Sequence, residues 1–259
     1  MKSNALVDAH LHISEKGDWI SDGYDPSLVR LLKELEKTSI QYGVILSLST
    51  LNQNDYVEKV CRESGGKLFA LAGFNPLTDN LQQILPYLNK KEIFKGLKLH
   101  PRQGNFSPLD EKLTPLYEEV SRRGAVINFD AMAHTSHLPM DEIRPSSFDR
   151  LAKKFPNLKM VLSHSCVPWV MEAFFTAKSN ENVYLDCSFI MDKFHNSSVF
   201  TDLLYTAEHL DRKLIYGSDF PERSVVDYLS FAKESFKNLS EEKQANIFGR
   251  NAIKLFDLK

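Results

Sequence analysis

The sequence predicts a parallel β-sheet closed into a (β/α)8 TIM barrel. Three observations lead there: eight short apolar runs rich in β-branched residues, a helical pattern after each run, and no clean alternation of apolar and polar residues within the runs. Strands buried on both faces read this way, because helices cover the outer face of a parallel sheet. The 259-residue length also suits one barrel, a fold that runs to about 250 residues.

The predicted strands are Ala5–His10, Val44–Leu48, Leu68–Phe74, Phe94–Leu99, Ala125–Asp130, Lys159–Ser163, Val183–Cys187 and Leu214–Gly217. After the first strand, PSLVRLLKELEK at 26–37 sets Leu28, Leu31, Leu32 and Leu35 on one stripe, with Asp25 as the expected N-cap and Pro26 at the first helical position. A helix is expected over Leu109–Arg123, and another from near Pro168, where Trp169, Val170, Ala173 and Phe174 form an apolar face. Such stripes pack on a sheet. An open doubly wound sheet would place a glycine-rich phosphate turn after its first strand, but the turn here reads DAHLHIS. No Pro/Gly/Ser linker, charge block or fixed-period repeat divides residues 1–259, so one domain is expected.

At 42% hydrophobic and 25% charged residues, with 11 Gly and 11 Pro, the composition is that of a globular chain. The 32 Lys+Arg against 34 Asp+Glu, a net charge of -2, give no basic footprint for nucleic acid. No apolar run reaches the roughly 20 residues of a membrane span, and MKSNALVDAH lacks the features of a signal peptide. No membrane partner and a cytoplasmic location are therefore expected. The three cysteines, Cys61, Cys166 and Cys187, are too far apart for a disulfide framework or a CxxC pair and are expected to be small buried apolar residues.

In a barrel the reactive groups stand at the C-terminal ends of the strands. The first strand ends in His10 and His12, whose spacing of two puts both imidazoles on one face with room for an ion between them. Asp8 is expected on that face, one step deeper. The eighth strand runs into Gly217, Ser218 and Asp219, and it neighbours the first when a barrel closes. Two imidazoles and a carboxylate suit Zn²⁺ or another borderline divalent ion. The sixth strand ends at His164, and the fourth carries Lys98 and His100 on one face; both strands offer groups to a substrate. Lys98 could bind an anionic substrate group, carry a carboxylated ammonium that bridges two metals, or pair with a buried acid.

These residues resemble the amidohydrolase superfamily, and within it the amidohydrolase-related branch that holds the aminocarboxymuconate-semialdehyde decarboxylase-like enzymes. The similarity runs almost end to end through VDAHLH, GLKLHP, VLSHSCVPW followed by NVYLDCS, IYGSDFP and LSEEKQANIFGRNAIKLF. It implies a distorted barrel holding one divalent ion, usually Zn²⁺ with Mn²⁺ as the alternative, on the first-strand HxH, a fifth-strand His and the eighth-strand Asp. By position the ligands become His10, His12 and Asp219, and His164 contacts the substrate or the attacking water. The fifth strand departs from the pattern: in GAVINFDAMAH, aligning Gly124 with the family's glycine puts Asp130 at the ligand position, as an oxygen donor in place of imidazole, while a slip of one residue puts Phe129 there and leaves a weaker metal site or none. His134 and His137 lie in the loop that follows.

The first expectation is metal-dependent hydrolysis of a small amide, lactone or related ester. The ion lowers the pKa of its water to about 7, Asp219 moves the proton, and His164 steadies the oxyanion. Lys98, His100, Arg102 and Arg223 are the candidates to read a carboxylate on a small-molecule substrate. The alternative on the same site is non-oxidative decarboxylation of a small carboxylic acid. A metal-free lactonase and a non-catalytic binding barrel are further alternatives, motivated by the fifth-strand departure. Homo-oligomers are common in the family. Substrate choice is expected in the loops Ser14–Tyr24, Arg102–Pro108, Met132–Ser146 and Ser188–Ser198, where Trp19, Tyr24, Phe106 and Phe194 fit an acidic or ring-bearing molecule.

Overall fold

Strands follow one another around a parallel barrel in chain order: β1 (Leu6–Leu11), β2 (Ile40–Leu46), β3 (Leu68–Gly73), β4 (Phe94–Leu99), β5 (Val126–Phe129), β6 (Lys159–Leu162), β7 (Val183–Asp186) and β8 (Leu214–Ile215). This computed structural model describes residues 5–51, 53–134 and 136–259. Met1–Asn4, in the N-terminal stretch read above, and Thr135, in the predicted 132–146 loop, lie outside the described residues. Between the strands run α1 (Leu28–Glu36), α2 (Asn54–Glu63), α3 (Leu81–Leu88), α4 (Pro101–Gly104), α5 (Thr114–Arg123), α6 (Pro145–Lys154), α7 (Val170–Ser179), α8 (Ile190–Lys193) and α9 (Ser198–His209). After β8 come α10 (Val225–Ser235), α11 (Glu241–Ala245) and α12 (Asn251–Phe256). No helix among the described residues is long and apolar enough to cross a membrane.

Both faces of the strands are buried, which is why their sequences do not alternate. Val7, Ala9, Val44, Leu46, Phe69, Leu71, Val126, Val161 and Ile215 fill the barrel interior, and Leu255, Phe256 and Leu258 from the chain's end pack with them. The residues between them, such as Ile45, Ala70, Leu97, Ile127, Met160 and Leu214, point outward into the layer shared with the helices. Each fully buried Leu or Ile of this kind contributes about 1.5–3 kcal/mol relative to exposure. Cys61, Cys166 and Cys187 are buried, and burial pushes the thiols of Cys166 and Cys187 up.

The seam between β8 and β1 is irregular. Ala9 N–H donates to Tyr216 O (3.0 Å), Asp219 N–H to His10 O (2.9 Å) and His12 N–H to Phe220 O (2.8 Å), while Tyr216 N–H turns aside to Ile247 O (3.0 Å). That diversion is why β8 is shorter than the predicted Leu214–Gly217. Three helix starts also differ from expectation. Ser27, not Asp25, caps α1 by accepting from Arg30 N–H (3.2 Å), and Asp25, two residues earlier, accepts from Ser27 N–H (2.9 Å). The predicted Leu109–Arg123 helix divides into a 3-10 turn at Glu111–Leu113 and α5, whose first turn contains Pro115 because proline lacks the N–H an interior position needs. The helix expected near Pro168 begins at Val170.

Candidate metal centre and catalytic cavity

Asp8 pairs with Gly43 and Leu11 with Ile45, so β1 carries one more residue than β2 between the two pairs. This bulge breaks the period of two. His10 and His12 face the mouth, whereas Asp8 turns outward behind them, contrary to the expectation that all three share a face. Its Oδ1 accepts from His10 N–H (3.2 Å) and Ser218 N–H (2.9 Å), its Oδ2 has no partner among the described residues, and burial lifts its carboxyl to about 7. Across the seam, Gly217 is required: a Cβ there would lie 2.5 Å from the Cβ of His10. Asp219 follows with φ of 73°, a left-handed conformation that Asp tolerates better than most residues.

These turns gather one cluster at the seam. His10 Nε2 stands 3.1 Å from Asp219 Oδ1 and 3.1 Å from His12 Nε2, and His12 Nε2 is 3.5 Å from the same carboxylate oxygen. The far nitrogens identify the protons. His10 Nδ1 faces Asp186 Oδ2 (3.0 Å) and Ser188 Oγ (2.9 Å), and His12 Nδ1 donates to Leu46 O (2.7 Å). An imidazole that donates from Nδ1 presents a bare lone pair at Nε2. Burial lowers His10 to about 4 despite Asp186 and Asp219, so the ring is neutral at pH 7. Burial would raise Asp219, but the surrounding imidazoles outweigh it and hold the carboxyl at about 2. Two lone pairs and an anionic oxygen thus converge with no proton between them. That donor chemistry fits a divalent cation and is repulsive without a positive charge.

A second cluster lies above β4 to β6. Asp130 Oδ2 is 3.5 Å from His100 Nε2 and 3.4 Å from His164 Nε2, and its Oδ1 is 3.4 Å from His134 Nε2. Burial would raise the Asp130 carboxyl, yet these imidazoles and Lys98 keep it well below its ordinary value. His100 Nδ1 accepts from Gln103 N–H (3.3 Å) at the start of α4. Burial drives this imidazole down to about 3. Burial also opposes charge on His164, but Asp130, Asp219 and Asp186 raise it to about 9. Buried Lys98 sends Nζ to Asn128 Oδ1 (2.8 Å) and Ser163 Oγ (3.2 Å). The donor atoms of His10, His164 and Asp219 lie within 4.8 Å of one another, as do those of His100, Asp130 and His134.

Both clusters line one cavity of about 160 Å³, together with Lys98, Trp19, Ile20, Leu48, Met132, Phe189 and Glu222. Trp19 Nε1–H reaches Glu222 Oε1 (3.3 Å) at its rim. Arg102 and Arg223 are not in the lining. Arg102 donates to Leu138 O (3.2 Å) and to His134 O, bracing the loop after β5. Arg223 pairs with Asp192 (2.8 Å) and stacks 4.4 Å above the Phe189 ring, while His137 is exposed outside the cavity. Asp186 is the residue that sequence reading passed over. Its carboxylate takes His10 Nδ1–H, His164 N–H (2.8 Å), Ser188 N–H (3.1 Å) and the Ser188 hydroxyl (2.6 Å). An acid at the C-terminal end of a barrel strand was the available signal.

No curated protein matches the sequence. Among solved structures the chain resembles an uncharacterised TIM-barrel protein from Bordetella bronchiseptica at 19% identity and TM-score 0.80, covering 98% of this chain and 99% of that one. It also resembles 5-carboxyvanillate decarboxylase from Sphingomonas paucimobilis at 13% identity and TM-score 0.74, covering 98% and 99%. A dihydroxybenzoic acid decarboxylase from Polaromonas sp. JS666, solved with manganese and the inhibitor 2-nitroresorcinol, is similar at 14% identity and TM-score 0.74, covering 98% and 97%. The amidohydrolase family model matches residues 7–258, and the chain belongs to the amidohydrolase family.

Proposed function

We propose that the protein is a divalent-metal-dependent decarboxylase of a small, ring-bearing carboxylate. The observation that carries this reading is the convergence of the His10 and His12 lone pairs on the Asp219 carboxylate, inside a cavity also lined by Trp19, Ile20, Leu48, Met132 and Phe189. His10, His12 and Asp219 would hold the ion, and Zn²⁺ and Mn²⁺ are the candidates. When bound, the ion supplies fixed positive charge beside the substrate oxygens, where electron density collects as the carboxyl group departs.

In the reaction the bond from the ring carbon to its carboxyl group breaks and leaves its electron pair on the carbon. Carbon dioxide departs, and a proton takes the vacated position. Asp219 faces both the imidazoles and the cavity, so it is placed to pass that proton; a carboxyl held at about 2 gives up a proton readily once it has gained one. Lys98 uses two ammonium donors on Asn128 and Ser163, which leaves a third for a substrate oxygen. His100 offers Nε2–H, and the apolar side chains of the lining receive the ring.

The sequence puts hydrolysis first. Decarboxylation is favoured here because similar barrels include decarboxylases of ring carboxylates and because the cavity lining combines apolar and aromatic side chains with the Lys98 ammonium. Hydrolysis remains the second reading, since Asp219 is equally placed to accept a proton from water. A metal-free lactonase or binding barrel would leave His10, His12 and Asp219 turned against one another. The test loads the protein with Zn²⁺ or Mn²⁺ and offers hydroxylated benzoates, lactones and small amides. Carbon dioxide released from a benzoate, and lost on chelation, is the expected result. Ring opening or amide cleavage without carbon dioxide would select hydrolysis, and a protein that binds neither ion would overturn the metal reading.

A further inference from the structure

We infer that His164, rather than any residue of β5, supplies the third imidazole of the metal centre, so that one ion sits among the Nε2 atoms of His10, His12 and His164 and the carboxylate of Asp219. This rests on the metal-dependent reading above and fixes which of this chain's residues complete the site.

A neutral imidazole ligates only through the nitrogen without a proton, and the partner of its other nitrogen decides which one that is. His10 Nδ1 faces the Asp186 carboxylate, and His12 Nδ1 faces Leu46 O, so both rings bare Nε2. His164 likewise has Nδ1 on Ser188 O at 3.1 Å, and its Nε2 stands 3.4 Å from Asp130 Oδ2, so an ion bound there displaces the proton that Asp130 holds on that nitrogen. Its ring lies 5.0 Å from that of His10, centroid to centroid, with the planes tilted by 30°. His100 obeys the opposite rule. Its Nδ1 accepts the Gln103 N–H, so its Nε2 keeps the proton and directs it at Asp130. A protonated nitrogen cannot ligate. Asp130 therefore faces the protonated Nε2 of His100 at 3.5 Å, too far for a full hydrogen bond, and lies beside the ligands rather than among them.

One network on β7 sets both rings. The Ser188 hydroxyl donates to Asp186 Oδ1 (2.6 Å), and its oxygen lies 2.9 Å from His10 Nδ1 and 3.0 Å from His164 Nδ1. Asp186 also takes the backbone N–H of His164. His164, Ser165 and Cys166 all have positive φ, of 56°, 45° and 56°. Left-handed backbone costs about 1–2 kcal/mol per residue, and here it turns the imidazole from the end of β6 into the mouth. Ser165 Oγ–H secures the turn on Asp186 O (2.7 Å).

X-ray absorption on the Zn²⁺-loaded protein should show three imidazoles, and chelator competition should show His164→Ala weakening Zn²⁺ binding on the order of 100-fold while Asp130→Asn changes it by less than about threefold. Two imidazoles in the absorption spectrum would overturn the assignment, as would an Asp130→Asn loss equal to or greater than that of His164→Ala. If His164→Ala does not fold, the imidazole count of the unmodified protein decides alone. A protein that takes up no Zn²⁺ or Mn²⁺ overturns the metal reading and this assignment together; one that binds the ion through two imidazoles overturns only the assignment.

Discussion

His10, His12 and Asp219 at the seam, and His100, His134 and Asp130 above β4 and β5, hold the same residue types at similar distances around one cavity. Their surroundings differ. The His10 side chain is 1% exposed and backed by Asp186, whereas the His134 side chain is 32% exposed and sits on a loop. At the seam the far ring nitrogens meet acceptors, while at His100 the far nitrogen meets a backbone donor. Residue type and spacing therefore do not separate a cation ligand from a substrate-reading donor. The partner of the other ring nitrogen does.

The comparison breaks most readily at the ligands themselves. His10→Ala and Asp219→Asn should each remove stoichiometric metal and lower turnover by at least about 1,000-fold, since each deletes a direct donor to the ion and Asp219 also moves the proton. His100→Asn keeps a side-chain cap for the Gln103 N–H but is too short to reach Asp130. It should leave metal content unchanged and raise KM about tenfold, as loss of one substrate hydrogen bond would. Metal loss in His100→Asn would show that the two clusters are not divided as argued. Elemental analysis and steady-state kinetics on the three variants decide.

A smaller effect is expected behind the ligands. Asp186→Asn leaves every ligand in place and keeps the size of the side chain, but it weakens the acceptor that fixes the His10 proton on Nδ1. Groups in this position are worth about 10–100-fold in metal affinity. Chelator competition should return a loss in that range with the fold intact. Unchanged affinity would mean that the ring of His10 is held by packing alone.

How far this arrangement was legible depends on what each signal could carry. The run at Phe94–Leu99 gives β4 to the residue, bounded within two residues by Glu92 and Pro101. The first residues of β2, Ile40–Tyr42, are partly exposed and read as loop, so that strand begins earlier than its apolar run. Periodicity placed His10, His12 and Asp219 at the mouth, but it could not show the bulge that turns Asp8 away, since a bulge leaves no mark in residue type. Asp186 lies within the NVYLDCS run, but its role exists only once β7 is beside β1 through β8. Arg102 and Arg223 read as cations near strand ends. Folding gives Arg102 carbonyl partners and Arg223 a carboxylate, and neither kind of partner is visible in sequence.

The outward turn of Asp8 sharpens the comparison through pH. Its carboxyl is raised from 3.8 to about 7, chiefly by burial, so between those values the folded chain holds a proton that the unfolded chain has released. Its contribution to stability is complete below about pH 4 and declines, at up to about 1.4 kcal/mol per pH unit, as pH rises through about 7. His10 acts the other way, because a ring lowered to about 4 favours folding as pH rises through the same window. The difference between the wild type and Asp8→Asn isolates the carboxyl. In urea unfolding of the metal-stripped protein, Asp8→Asn should gain on the wild type steadily from pH 4 to 7. A difference that does not change with pH would place an ordinary carboxylate at this position.

The smallest effect is expected at Arg223, a residue whose type fits the cavity but whose partners lie outside it. Its guanidinium is held by Asp192, whose side chain is 37% exposed, and by the face of Phe189. A pair this open to water is worth no more than about 1 kcal/mol, and stacking on an aromatic face adds about 0.5–1 kcal/mol. Arg223→Gln should therefore lower stability by roughly 1–2 kcal/mol. Since Phe189 lines the cavity, KM could shift slightly as the ring loosens, but kcat should stay within about twofold because no charge reaches the substrate. A large loss of kcat, or a KM increase confined to substrates bearing a second carboxylate, would mean that Arg223 leaves Asp192 during turnover and reads the substrate directly.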